Sequence, residues 1–186
     1  MAKLFFRYAA MNAGKSTALL QVAHNYEERG HRVRIFTARL DDRYGHGFVT
    51  SRLGPKREAE QFDAHTDFRA LMTDSPGIAC ILIDEAQFLS KQQVQQLHEM
   101  AHLSNLPAIC YGLRTDFQGE LFPGSAALLA LADEMDEMKT ICDCGRKATM
   151  NMRVDAGNRK VTEGAQVEIG GNARYRSVCG RCFRQG

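Results

Sequence analysis

The sequence predicts an α/β domain with a mostly parallel sheet and helices on both faces, followed by a smaller cysteine-bearing subdomain. Three observations lead there. Strand-like and helix-like segments alternate from residue 3 to residue 132, the order that parallel strands with helical crossovers require. Residues 78–83 form an uninterrupted apolar run, as expected of a strand covered on both faces. Near residue 141 helix formers give way to Cys, Gly, Asn and Arg, which places a boundary between residues 1–140 and residues 141–186.

The elements follow in order. Residues 3–9 read as the first strand. Residues 15–29 place Leu19, Val22, Ala23 and Tyr26 on one helical face, and Gly30 suits the left-handed residue that ends a helix. Residues 33–37 read as the second strand. Residues 39–57 are polar and glycine-containing and are expected to form a long loop, a feature that compact domains keep for function. A short helix is expected over 66–73. After the apolar strand, residues 90–104 read as a helix with Ser90 as N-cap. Residues 106–111 form another strand, 112–123 a loop, 124–132 a helix, and 139–141 a last strand leading into the cysteine region.

Composition sets limits on function. The chain has 186 residues, of which 44% are apolar, enough for one main core and an appendage. A net charge of +2 provides no strong attraction to nucleic acid or to a membrane surface, and neither is expected as a partner. The apolar runs are too short to span a bilayer. The N-terminus shows no signal or transit pattern, so a cytoplasmic location is expected. Cys80 and Cys110 lie singly in apolar runs and read as buried thiols. Cys142, Cys144, Cys179 and Cys182 form two close pairs, which in a cytosolic chain read as metal ligands before disulfides.

Three constellations carry chemistry. The first is Ala9, Ala10, Met11, Asn12, Ala13, Gly14, Lys15, Ser16 and Thr17, between the first strand and the first helix. It matches the phosphate-binding P-loop, except that Ala9 stands where that pattern has its first glycine. Backbone N–H groups from Asn12 to Ser16 can face phosphate oxygens at the helix N-terminus. Lys15 would reach the β- and γ-phosphates of ATP, and Ser16 would offer a hydroxyl to Mg²⁺. Ala9 requires a backbone conformation that tolerates a Cβ.

The second constellation is Asp84-Glu85-Ala86-Gln87-Phe88 at the end of the apolar strand. Asp84 would hold Mg²⁺. Glu85 projects at the carboxyl edge of the sheet, where open α/β sheets bind ligands. It could orient a water for hydrolysis or accept a proton from a substrate hydroxyl. A carboxylate near its reference pKa of ~4.3 is ionised at neutral pH but weakly basic toward an alcohol, so it would orient the hydroxyl and take its proton late. The third is the cysteine set. Four thiolates suit tetrahedral Zn²⁺, and a closed four-ligand site is structural rather than catalytic. Residues 145–178 must then form a structured excursion stapled at both ends.

Taken in this order, the motifs Met11–Thr17, 41–43, 84–88, 111–117, the cysteine pairs and 169–175 resemble the zinc-containing thymidine kinases, especially the bacterial ones. The resemblance covers nearly the whole chain. It implies a P-loop domain of the RecA-like type with a zinc-binding lasso. The implied activity is transfer of the γ-phosphoryl of ATP to the 5′-hydroxyl of thymidine, and of deoxyuridine to a lesser extent. It implies Glu85 as catalytic base, Lys15 and Ser16 as phosphate and magnesium contacts, and Arg43 near the reacting phosphates. Gln87 is grouped with Asp84 at the nucleotide. Met11, Phe88, Leu113, Phe117 and Phe122 are implied around the base and sugar. A loop bearing Val167, Glu168, Ile169, Gly170, Gly171 and Tyr175 is implied over the pyrimidine. A homotetramer and feedback inhibition by thymidine triphosphate are implied as well.

Two readings from other classes compete. His98-Glu99-Met100-Ala101-His102 has the spacing of a zinc-hydrolase helix, but Val94, Leu97 and Ala101 are needed for packing and no third ligand is evident from sequence. Arg174, Arg176, Arg181 and Arg184 near the second cysteine pair would suit a zinc-ribbon ATPase acting on nucleic acid. The near-neutral charge and the lack of basic or aromatic stripes weigh against it.

Overall fold

The computed structural model describes residues 1–40, 47–167 and 174–186. The chain runs β1 (Leu4–Ala9), α1 (Lys15–Glu27), β2 (Arg32–Ala38), β3 (Phe48–Thr50), β4 (Lys56–Glu58), β5 (Glu60–Phe62), α2 (Phe68–Thr73) and β6 (Ile78–Ile83). A 3₁₀ turn at Ala86–Phe88 leads to α3 (Lys91–Leu103), β7 (Ala108–Leu113), α4 (Pro123–Leu131) and β8 (Glu134–Glu137). The remainder comprises β9 (Thr140–Ile141), β10 (Lys147–Ala148), β11 (Met150–Arg153), β12 (Tyr175–Val178) and α5 (Gly180–Gln185).

Six strands form one sheet in the order β5-β2-β6-β7-β1-β8, and every neighbouring pair is parallel. The expected α/β fold is present. β7 separates β1, which leads into the phosphate loop, from β6, which ends at Asp84. The carboxyl ends of β1 and β6 therefore lie at the same edge of the sheet, one intervening strand apart.

Strand periodicity explains the apolar run. Successive side chains of β6 point to opposite faces. Cys80 and Leu82 join Leu19, Leu20 and Ala23 of α1 on one face. Ile81 and Ile83 join Phe68, Val94, Leu97 and Leu128 from α2, α3 and α4 on the other. The α3 start is fixed by a reciprocal cap: Ser90 Oγ accepts from Gln93 N at 3.2 Å while Ser90 N donates to Gln93 Oε1 at 2.9 Å.

The structure differs from expectation at two places. Residues 39–57 are not one loop: β3 and β4 pair as an antiparallel hairpin that buries Val49 against the α1 core. Polar flanks hid a three-residue strand that one buried valine suffices to seat. The strand expected at 139–141 is present as β9, but it pairs with β10 and not with the main sheet; the sheet's edge is β8, Glu-Met-Asp-Glu, a strand not anticipated from sequence, which hydrogen-bonds parallel to β1. Its acidic side chains are largely exposed, because an edge strand is held by backbone bonds and gains from charges that discourage further pairing.

Beyond β8 a separate small core forms from Cys142, Ala148, Met152, Val154, Val178, Cys179 and Phe183, built on the antiparallel β11–β12 pair. Among the described residues no helix is long and apolar enough to cross a membrane.

Candidate functional site

The phosphate loop owes its shape to two left-handed residues. Asn12 has φ 62° and Gly14 has φ 79°, and Gly14 immediately precedes α1. Ala9 instead closes the β1 ladder opposite Leu113. It is extended, so its Cβ is accommodated and no glycine is needed there. Lys15 is largely buried and its Nζ donates to Ala10 O at 3.1 Å, folding back along the inside of the loop. The Thr17 hydroxyl pairs with Ser51 Oγ at 2.7 Å, tying the loop to the β3–β4 hairpin.

Ser16 Oγ donates to Asp84 Oδ2 at 2.8 Å, across the intervening β7. A hydroxyl and a carboxylate meeting at the phosphate loop are oxygen donors of the kind a hard cation takes, and these two residues could hold Mg²⁺. Asp84 is buried, and burial, helped by the neighbouring charge of Glu85, pushes its carboxyl up from the ordinary 3.8 to about 7. Ser16, the Glu85 amide and Lys15 pull the other way without overcoming burial.

Glu85 itself adopts φ 52°, the left-handed region that a non-glycine residue occupies at a cost of about 1–3 kcal/mol and that recurs at functional positions. Its side chain is held from behind. Gln87 Nε2 donates to Glu85 Oε2 at 2.5 Å, and Gln87 Oε1 accepts from Leu113 N at 3.0 Å. Gln87 is only 2% exposed. With both ends of its amide engaged, it stands as a brace for Glu85. The 3₁₀ turn carrying it sits tightly on α4: a Cβ at Gly124 would lie 2.6–2.8 Å from the carbonyl oxygens of Ala86, Gln87 and Leu89.

Beyond Glu85, the Phe88 and Phe122 rings meet edge-on with centroids 5.8 Å apart, and Leu113 ends β7. Phe117 lies deeper. It is 1% exposed, with the Arg153 guanidinium carbon 3.8 Å from its ring centre, so it packs against that arginine. Arg153 also donates to Tyr175 Oη from Nε at 2.9 Å and from Nη2 at 2.6 Å, and to Ala165 O at 2.8 Å. Tyr175 is thereby anchored at the start of β12. Val167 is exposed. Arg43, Glu168, Ile169, Gly170 and Gly171 lie outside the described residues.

Sequence reasoning missed the residues that join the two parts of the chain. Met11 N donates to Asn151 Oδ1 at 2.8 Å, and Asn151 Nδ2 donates to Thr115 O at 3.0 Å. The Ser177 hydroxyl donates to Met11 O. Asn151 and Ser177 lie opposite each other on β11 and β12, so the C-terminal hairpin grips both sides of one phosphate-loop residue. No motif signals this, because a lone Asn and a lone Ser acquire meaning only through a contact more than a hundred residues away. Asn151 is buried, and Asn151→Ala would leave Met11 N–H and Thr115 C=O without this partner. A loss of about 1–3 kcal/mol is expected, read by urea denaturation against wild type.

The four cysteines converge. The sulfurs of Cys142, Cys144, Cys179 and Cys182 all lie within 4.8 Å of one another, and Cys144 Sγ is 3.6 Å from Cys179 Sγ. A tetrahedral Zn²⁺ with Zn–S of about 2.3 Å would set sulfurs about 3.8 Å apart, so the set fits that ion. The tight first pair is closed by Gly145 at φ 80°, whose N–H donates to Cys142 O at 2.8 Å, while Cys142 N donates to Arg146 O at 2.7 Å. Cys179 caps α5, accepting from Cys182 N at 3.5 Å, and that contact helps draw its thiol down to about 6.

A sequence model of the thymidine kinases matches residues 2–183. The chain belongs to the thymidine kinase family. The thymidine kinase of Chromobacterium violaceum is 63% identical, with 98% of each chain covered. That of Agrobacterium fabrum is 56% identical over 97% of this chain and 95% of its own. That of Ruegeria pomeroyi is 55% identical over 100% of this chain and 95% of its own. The family match takes in the phosphate loop, the Asp84–Glu85 pair and the cysteine hairpin together, so the site built above lies wholly within the shared region.

Proposed function

We propose that this chain transfers the γ-phosphoryl group of ATP to the 5′-hydroxyl of thymidine, giving thymidine monophosphate and ADP. The observation that carries this reading is the placement of Glu85. Its carboxylate, braced by Gln87, stands one residue from the Asp84–Ser16 pair, where an acceptor hydroxyl would meet a phosphate cradled by the loop. Full-length similarity to proteins named thymidine kinases supports the same acceptor.

Backbone N–H groups of residues 12–16 and the Lys15 ammonium would hold the phosphates, with Ala9, Ala10 and Thr17 setting the loop's shape. Ser16 and Asp84 would hold Mg²⁺, which would supply positive charge against the charge that develops on the transferring phosphoryl group. Glu85 orients the hydroxyl and accepts its proton as the phosphoryl group moves. Arg43 is assigned to the reacting phosphates. Met11, Phe88, Leu113 and Phe122 line the nucleoside. The segment from Val167 through Glu168, Ile169, Gly170 and Gly171 to Tyr175 covers the pyrimidine, with Arg153 fixing Tyr175. Residues 1–140 act as the ATP-binding domain and 141–186 as a lasso closed by zinc. The family resemblance further supports a cytoplasmic homotetramer inhibited by thymidine triphosphate.

A coupled assay of ADP release, with ATP, Mg²⁺ and each deoxynucleoside in turn, tests the reading. Strong stimulation by thymidine is expected, with deoxyuridine weaker by the about 1–3 kcal/mol that one methyl contributes in an apolar pocket. Equal ADP release with no nucleoside present would identify an ATPase instead.

Burial of Asp84 has a consequence for pH. Its folded pKa lies above its ordinary 3.8, near 7, so the proton-linked stability it contributes is complete below about 4 and is lost as pH climbs to 7. Asp84→Asn carries no such charge. In zinc-loaded protein free of nucleotide and Mg²⁺, the melting temperature of Asp84→Asn minus that of wild type should grow from about pH 4 and level off above about pH 7. A difference that stays flat across this range would remove the raised pKa.

A further inference from the structure

The histidine motif on α3 is not used by phosphoryl transfer, yet the fold completes it. His98 and His102 lie one turn apart with ring centroids 4.4 Å apart. Asp133, in the link between α4 and β8, brings the third donor that the sequence did not reveal. His102 Nε2 lies 3.1 and 3.2 Å from the two Asp133 carboxylate oxygens. One ligand atom from each of His98, His102 and Asp133 falls within 4.8 Å of the other two.

We propose that His98, His102 and Asp133 form a second metal site, for a divalent ion of the zinc–nickel class. Two imidazoles and one carboxylate are the donors those ions take, whereas Mg²⁺ prefers oxygens throughout. Ligand bonds of about 2.0–2.2 Å to each group are compatible with a nitrogen and an oxygen already 3.1 Å apart, so the ion replaces the present hydrogen bond with little movement. The carboxylate is held in advance: Asp133 Oδ2 accepts from Leu4 N at 2.7 Å, and Asp133 N donates to Leu4 O at 2.9 Å. His102 and Asp133 side chains are 30% and 24% exposed, which gives an ion access and leaves a fourth position for water.

The site binds and does not hydrolyse. In a metallohydrolase helix the glutamate beside the first histidine acts as general base, but here Glu99 is ion-paired with Arg69 of α2. Leu4 opens β1, at the end of the strand opposite Ala9 and the phosphate loop, so the ion stands away from Ser16 and Asp84. It cross-links the last turns of α3 to the start of β1 and β8.

The test is a calorimetric titration of Ni²⁺ into zinc-loaded, nucleotide-free protein, with absorbance followed for nickel–thiolate bands. One Ni²⁺ per chain is expected beyond the four-cysteine zinc, without those bands. Removing a ligand should weaken it at least as much as losing an outer-shell partner of a metal does, roughly tenfold or more, in both His98→Gln and His102→Gln. His24→Gln, at a histidine of α1 paired with Glu28, should leave it unchanged. His98→Gln spares the His102–Asp133 pair, and its melting temperature without Ni²⁺ checks that it folds. Binding of no additional ion, or equal affinity in wild type and His98→Gln, would overturn the site.

Discussion

Replacing Glu85 with glutamine is expected to lower turnover by about 10²–10⁴-fold, the range a positioned general base contributes, while ATP affinity changes little. The substitution keeps size and hydrogen-bonding reach at a position whose φ of 52° leaves little tolerance for rearrangement. It removes the charge assigned to orienting the hydroxyl and the site assigned to receiving its proton. The phosphate contacts assigned to residues 12–16 are left alone, so the loss should fall on kcat and not on the KM for ATP. Steady-state kinetics at saturating thymidine, with nucleotide binding measured separately, distinguishes the two. Turnover near wild type would strip Glu85 of this role and return attention to the phosphate loop itself.

Removal of zinc, or Cys182→Ser, is expected to abolish activity while the α/β core stays folded. The core around the four cysteines has only a handful of buried apolar side chains, among them Met152, Val154, Val178 and Phe183. Structural zinc in peptides of this size contributes on the order of 10 kcal/mol of folding free energy, more than so small a cluster can replace. Without it β11 and β12 lose their anchorage at both ends. Limited proteolysis should then cut within residues 145–178 and leave a resistant fragment ending near residue 140. ATP binding should weaken too, because Asn151 and Ser177 no longer hold Met11. Unchanged resistance of the C-terminal region, with metal shown to be gone, would contradict the staple.

These two sites are legible in the sequence because their signals are local. The Gly14-Lys15-Ser16 turn, the carboxylates after β6, and both cysteine pairs each occupy a few adjacent residues. The Ser90 cap and the apolar run of β6 likewise report neighbours within one element. What was not readable is long-range. β8 is acidic along its length and is a strand only because β1 offers it a free edge. β3 needed the α1 surface to bury Val49. Gln87 looked like part of a nucleotide motif, and only its distances to Glu85 and Leu113 reveal a brace. Arg153 and Asp133 carry no signal until the chain brings Tyr175, Phe117 and His102 to them.

The two hydrogen bonds on Met11 make the peptide units of one residue common property of two substrates. Its amide and carbonyl are fixed by the hairpin that leads into the segment assigned to the pyrimidine, and the residue itself lies in the loop assigned to ATP. Whatever draws that hairpin inward also stiffens the nucleotide cradle, and whatever orders the cradle offers the hairpin a firmer seat. Linkage of this kind is reciprocal. Thymidine should therefore tighten ATP binding by the same factor by which ATP tightens thymidine binding, and Asn151→Ala should shrink both factors together.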